Sequence, residues 1–249
     1  MSERRALVAA NWKMNHLTAD ARVFCRAFAA GDASGADVVV FPSFPLLAAV
    51  AAGLAGAAAW GGQDLHAADS GAHTGDVSGA QLADLGCTWV LAGHSERRHD
   101  HGEDDAAVAA KVAAAVRHGL SPMLCLGETR EERDAGRTTE VLDRQLGAAL
   151  DALPDDPAAF AVAYEPVWAI GSGEVATPEI AEQAHRHLRR RVAERRGEAT
   201  AAELRILYGG SVKPANAGEL IARRDVDGFL VGGASLDAAS FLAIIAACA

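Results

Sequence analysis

AFAVAYEPVWAIGSG, residues 159–173, starts as an apolar run, sets a single carboxylate, Glu165, at its end, and then passes through Pro166 and Trp168 to Gly171 and Gly173. A strand with one wet face alternates polar and apolar residues, whereas a run that is apolar throughout fits a strand covered on both faces, as in a parallel sheet. Asp, Asn or Gly would make a plain turn here more readily than Glu. The acid therefore marks a strand end with further work to do, beside a loop whose glycines suit a swinging segment.

Seven more runs of the same kind flank it: ALVAA (6–10), DVVVF (37–41), AAAW (57–60), TWVLAG (88–93), PMLCLG (122–127), LRILYG (204–209) and DGFLVG (227–232). Between them the apolar spacing turns helical. Val108, Val112 and Val116 share one stripe within 105–118, and Val141, Leu142, Leu146, Ala149, Leu150 and Leu153 share another. A helix with proline in its first turn is predicted from Thr177 and Pro178 through RHLRRRVAERR. Its arginines interleave with Glu182 and Glu194, as on a solvated face rather than a nucleic-acid patch. Eight strand–helix alternations in 249 residues fit an α/β chain closed as a (β/α)8 TIM barrel, one domain over residues 1–249, better than an open doubly wound sheet. No GxGxxG follows the first strand, and no linker-like composition breaks the chain.

Half of the residues are hydrophobic, enough for a sizeable core. A formal net charge of -10 and a pI near 5.3 repel nucleic acid and anionic membranes at long range, so neither is expected as a partner. Cys25, Cys87, Cys125 and Cys248 form no CxxC pair, and the start MSERRALVAA has no signal-like apolar core. Both features point to free thiols in a reducing cytoplasm. No apolar stretch of about 18 residues runs without charges or turn signals, so no membrane span is expected.

In a parallel barrel the chemistry gathers where the strands end. Those exits carry Asn11 and Lys13 after the first strand, His94, Ser95 and Glu96 after the fourth, and Glu165 after the sixth. The pairs Gly209–Gly210 and Gly232–Gly233 follow the seventh and eighth. Asn11 and Lys13 stand two apart and would point the same way in an extended segment. YGGS and VGGAS lack Cβ atoms where backbone N–H groups could close on an anion, with Ser211 and Ser235 placed where short helices could begin. Tight turns alone would read the same way. His94 precedes SERR, a helix start whose positive end disfavours imidazolium and keeps the ring neutral. Taken singly, the histidine also fits a structural hydrogen-bonding role, Lys13 a surface cation and Asn11 a turn residue. No His/Cys/Asp cluster stands at metal-ligand spacing, so no metal is expected.

Six segments, ANWKMN (10–15), AGHSERR (92–98), CLGE (125–128), AYEPVWAIGSG (163–173), YGGSVKPAN (208–216) and DGFLVGGASL (227–236), resemble the signature segments of the triosephosphate isomerase family in order and spacing. The resemblance covers essentially the whole chain. It implies interconversion of dihydroxyacetone phosphate and D-glyceraldehyde 3-phosphate through an enediolate, a step of glycolysis and gluconeogenesis, with no metal or organic cofactor. Glu165 would be the base and His94 the electrophile that polarises and protonates the substrate oxygens, a pairing for which this family is the known example. Asn11 would assist, and Lys13 would supply positive charge to oxyanion and phosphate. The resemblance further implies that Glu96 positions Lys13 or stabilises the site by ion pairing. The Gly171 N–H on a closing loop, with Ser211, Gly232 and Gly233, would hold the phosphate. Cys125 would support the glutamate by packing rather than act as a reactive thiol. HTGDVS (73–78) resembles the loop that inserts into a neighbouring subunit, where Thr74 would buttress Asn11 and Lys13, so a homodimer acting on a small phosphorylated sugar is implied.

The chain departs from the family pattern at several positions. TGD with Asp76 stands for TGE, His73 for an aromatic, GGQD (61–64) for AQN, Ala10 for a glycine, Ser172 for the loop threonine, and EVA (174–176) for KTA. These touch the interface and the loop hinge, and none removes a reacting group. The same groups would serve an isomerase of a four-carbon phosphosugar such as erythrulose phosphate. Readings from other classes are a lyase forming a Schiff base on Lys13 and a non-catalytic phosphate-binding barrel.

Overall fold

The structure is a computed structural model describing residues 4–54, 56–154, 160–170, 174 and 176–249. Eight parallel strands close into a barrel in sequence order. They are β1 (Leu7–Asn11), β2 (Asp37–Phe41), β3 (Ala59–Gly62), β4 (Trp89–Ala92), β5 (Ser121–Leu126), β6 (Ala161–Tyr164), β7 (Arg205–Tyr208) and β8 (Gly228–Val231). β1 pairs with β2 on one side and β8 on the other, which closes the ring.

The apolar runs are explained by two cores. Leu7 and Ala9 of β1, Met123 and Cys125 of β5 and Ala161 and Ala163 of β6 fill the barrel interior. Their neighbours Val8, Ala10, Leu124, Val162 and Tyr164 pack outward into the layer shared with the helices. Successive side chains of a strand face opposite ways, and here both faces are dry.

All eight expected strands are present, and one is displaced. β3 runs two residues beyond 57–60, because Gly61 and Gly62 lie in the strand rather than in a turn. A Cβ on Gly61 would stand 2.3 Å from the Trp89 carbonyl oxygen and 2.6 Å from the Phe41 ring. Neighbouring bulk inside the barrel demands glycine there.

The helices Asp105–Arg117, Thr138–Ala152 and Pro178–Arg196 occupy the predicted segments. The last begins with Thr177 Oγ1 accepting the Ile180 N–H, and buries Ala181, Ala184, His185, Leu188 and Val192 along one stripe. Several of its arginines are engaged with acids. Arg189 is largely buried against Asp225 and Asp227, while Arg191 and Arg195 pair with Asp143 and Asp151 on the surface. Among the described residues no helix is long and apolar enough to cross a membrane.

Candidate active site

Strand parity delivers the first two side chains. The inward series 7, 9 of β1 continues to Asn11, and the series 161, 163 of β6 continues to Glu165. Both are buried at the C-terminal mouth of the barrel, 4% and 2% exposed.

Beyond Asn11 the expected extended geometry fails. Lys13 has φ of 51°, in the left-handed region, which costs a non-glycine residue roughly 1–2 kcal/mol. The two side chains therefore do not share a face by strand parity; the turn is held by contacts instead. Asn11 Oδ1 accepts the Lys13 N–H at 3.0 Å, and Gln63 Nε2 donates to the carbonyls of Lys13 and Phe41, both at 2.9 Å. Trp12, fully buried between them, packs edge-on against Phe24 with centroids 4.9 Å apart. Lys13 Nζ then reaches Glu96 Oε1 at 2.6 Å.

Gln63 was not singled out as a functional residue from the sequence, where it only follows a glycine pair. Gln63→Ala leaves the Lys13 carbonyl unpaired in a strained turn. We expect kcat/KM to fall about tenfold, the equivalent of one hydrogen bond at the upper end of its usual range, with a thermal melt showing the fold retained.

Glu165 uses both carboxylate oxygens. Oε1 faces His94 Nε2 at 2.9 Å, and Oε2 accepts the Ser95 N–H at 2.9 Å. Burial alone would push this carboxyl up. The His94 ring, the Ser95 N–H and Lys13 outweigh burial and hold it below the ordinary glutamate range, so it is ionised at neutral pH.

His94 is the N-cap of the short helix Ser95–Asp100, its Nδ1 accepting the Glu96 N–H at 3.2 Å. A ring nitrogen that accepts carries no proton, so the neutral ring bears its proton on Nε2, toward Glu165. The helix start is not the only field at the ring, as the sequence expectation assumed. Burial and Lys13 act against imidazolium, but the Glu165 carboxylate outweighs them and draws the imidazole above its ordinary pKa.

Gly209 borders the acid. A Cβ there would lie 2.9 Å from Glu165 Cγ, so glycine leaves the side chain room to move. A second buried acid was missed. Glu128, at the exit of β5, is fully buried and accepts from Trp168 Nε1 at 2.8 Å and from the Tyr164 hydroxyl at 3.1 Å. It ties the 3-10 turn Val167–Ala169, just past Glu165, to the neighbouring strand end. Its sequence signal is a place just past a strand end, one glycine further on than the position that made Glu165 conspicuous.

The glycine exits complete the mouth. Gly232 continues the inward series of β8 from Leu230, and a Cβ on it would stand 3.6 Å from Lys13 Cε. Ser211 lies after β7, its carbonyl accepting from Asn216 Nδ2 at 3.0 Å. Neither serine begins a helix: Ser235 ends the 3-10 turn Gly233–Ser235, and the following helices start at Pro214 and Ala238. Gly171 lies outside the described residues. Thr74 sits in an exposed turn closed by the Asp76 N–H on the His73 carbonyl at 3.0 Å.

Cys125 is fully buried in the barrel interior. Burial, then the nearby Glu165 charge, pushes its thiol well above the ordinary value. Native protein treated with iodoacetamide at about pH 8 is expected to leave Cys125 unmodified by mass spectrometry, while denatured protein takes up reagent there.

The fold also gathers a trio that spacing did not reveal. One ligand atom from each of His66, His73 and Asp76 lies within 4.8 Å of the others. The Ala68 N–H donates to His66 Nδ1 at 3.0 Å, which leaves the ring proton on Nε2, facing Asp76 Oδ2 at 3.9 Å. The two rings lie tilted by 32° with centroids 3.9 Å apart. A protonated Nε2 is a donor, not a lone pair, so the arrangement fits a ring–ring contact beside an acid better than a ligand set.

A parallel (β/α)8 barrel whose strand ends gather an ionised carboxylate, a proton-bearing imidazole, an amide and an ammonium defines a barrel enzyme built for proton transfer near a developing negative charge. A family model described as triosephosphate isomerase matches residues 6–248. The triosephosphate isomerase of Nitratidesulfovibrio vulgaris is 52% identical over 251 residues, covering 98% of this chain and 100% of that one. The enzymes of Alkalilimnicola ehrlichii, 50% identical with 98% of each chain covered, and Symbiobacterium thermophilum, 51% identical with 99% of this chain and 98% of that one covered, are similar to the same degree. The chain belongs to the triosephosphate isomerase family.

Proposed function

We propose that this chain interconverts dihydroxyacetone phosphate and D-glyceraldehyde 3-phosphate, with Glu165 moving the proton between carbons and His94 serving the oxygens. The observation that carries the reading is the 2.9 Å contact between Glu165 and His94 at the barrel mouth, with Lys13 alongside. Both oxygens of Glu165 are engaged in this structure, so taking a proton from carbon requires the acid to leave the Ser95 N–H. The gap at Gly209 gives it room.

Departure of Glu165 also removes the upward pull on His94. What remains around the ring is burial, the foremost influence, with Lys13 and the helix start, all favouring the neutral form, against the weaker opposing pull of Glu96. A neutral ring with its proton on Nε2 can donate to the substrate carbonyl as the enediolate forms, while Asn11 and Lys13 stand where the negative charge develops. The same carboxyl returns the proton to the neighbouring carbon, so one acid suffices. The N–H groups at Gly171, Ser211, Gly232 and Gly233 take the phosphate in this reading. Closure of the loop after Glu165 excludes the water and free rotation that would let the enediolate expel phosphate.

Initial rates on dihydroxyacetone phosphate, D-glyceraldehyde 3-phosphate and tetrulose phosphates test it. Preference for the trioses is expected; a clear preference for a tetrulose phosphate overturns the substrate, and no turnover of any overturns the activity.

The same reading makes the protein a cytoplasmic homodimer. The free state of all four cysteines supports a reducing compartment. Met14 and Leu17, 95% and 75% exposed, leave apolar side chains close in sequence to Lys13 for a partner subunit to cover. Thr74→Arg is expected to weaken the dimer and lower turnover at dilute protein, followed by sedimentation velocity and rate against concentration. An unaltered dimer at full rate would remove Thr74 from the interface.

A further inference from the structure

We infer that Ser235 is a positioning residue that sets the anion seat, by fixing the two peptide planes that present the Gly232 and Gly233 N–H groups; this rests on the reading that phosphate sits there. Ser235 is fully buried, and the proposed chemistry does not use its hydroxyl. Its Oγ lies 3.0 Å from the Val231 carbonyl oxygen and 2.7 Å from that of Gly232, and its own N–H donates to Gly232 at 2.8 Å.

In a planar trans peptide the C=O and the following N–H point opposite ways. Drawing the Val231 carbonyl toward Ser235 therefore turns the Gly232 N–H away from it, and drawing the Gly232 carbonyl inward does the same for the Gly233 N–H. Among the described residues neither N–H has a protein acceptor. Gly232 holds φ −85° and ψ −114°, outside the wells that other residues favour, so the plane needs a restraint that its own backbone does not supply. The Lys13 side chain borders the same glycine, with its Cε 3.6 Å from where a Cβ would stand, so a correctly turned pair of N–H groups and the ammonium converge on one anion. Without the hydroxyl, the Val231 carbonyl loses this restraint and can rotate toward the anion and repel it, and the Gly232 carbonyl keeps only the Ser235 N–H.

The test compares Ser235→Ala and Ser235→Cys in the full-length protein. Cysteine nearly preserves the volume but donates weakly, so it separates the hydrogen bond from packing. Both variants are expected to bind phosphoglycolate roughly three- to tenfold more weakly, the range of one hydrogen bond. Both should raise KM for D-glyceraldehyde 3-phosphate similarly, while kcat/KM for unphosphorylated D-glyceraldehyde stays within about twofold of wild type. Wild-type phosphoglycolate affinity in both variants, a proportional loss on both substrates, or a loss in Ser235→Ala that Ser235→Cys restores would each overturn the inference. Failure of the wild type itself to bind phosphoglycolate would instead overturn the reading of the seat.

Discussion

Lys13→Ala is expected to lower kcat/KM for D-glyceraldehyde 3-phosphate by roughly 10³-fold, comparable to removing a preorganised donor from a site of developing charge. Lys13 is a cation whose charge acts on Glu165 and whose side chain borders Gly232. Its loss also leaves Glu96, which it pairs at 2.6 Å, as an uncompensated carboxylate beside an incoming dianion. Attraction is then replaced by repulsion, so binding of phosphoglycolate should weaken together with turnover. The fold should survive. Alanine in the left-handed region at this position is no more strained than lysine, and the backbone bonds to Asn11 and Gln63 do not involve the side chain. Equal melting temperatures with a large kinetic loss are the expected pair of results; wild-type affinity for phosphoglycolate would remove Lys13 from the site.

How much of this was legible in the sequence follows from which forces act locally. The eight strands were visible because both barrel faces are dry, which makes each run apolar at every position. β3 was misplaced because Gly61 answers to Phe41 and Trp89, residues far away in sequence. Glu165 and Asn11 stood out because each follows directly from strand parity at a strand end. Lys13 defeated that rule, since its backbone is set by Gln63 from the exit of β3, a contact no local pattern encodes. The charge state of His94 shows the same limit. The helix start is written beside it in SERR, whereas the Glu165 carboxylate that opposes it arrives from 71 positions along the chain. The His66, His73 and Asp76 trio was likewise invisible until a loop folded back on itself. Glu128 and Ser235 were present in quoted segments, but only burial and bonding partners distinguish them from ordinary loop residues.

Glu165→Asp is expected to lower kcat on the order of 10²-fold, with KM little changed. Shortening the side chain by one methylene draws the carboxylate back by about 1 Å, a displacement of the size that disrupts near-attack geometry. None of the groups assigned to the phosphate depends on Glu165, so binding should persist while proton transfer slows. The substitution also discriminates between two roles for the acid. If Glu165 served only to fix the His94 ring through the 2.9 Å contact, an aspartate would loosen that contact and shift the ring's titration with a modest kinetic effect. If it is the proton acceptor, the loss falls on the isotope-sensitive step. Transfer from substrate deuterated at the reacting carbon should then become more strongly rate-limiting in Glu165→Asp than in the wild type. Gly209 sharpens the comparison: because its missing Cβ leaves space at Glu165 Cγ, the shorter acid meets no new wall, and the deficit reports reach alone. Unchanged turnover in this variant would mean that the carboxylate at the end of β6 is not the base.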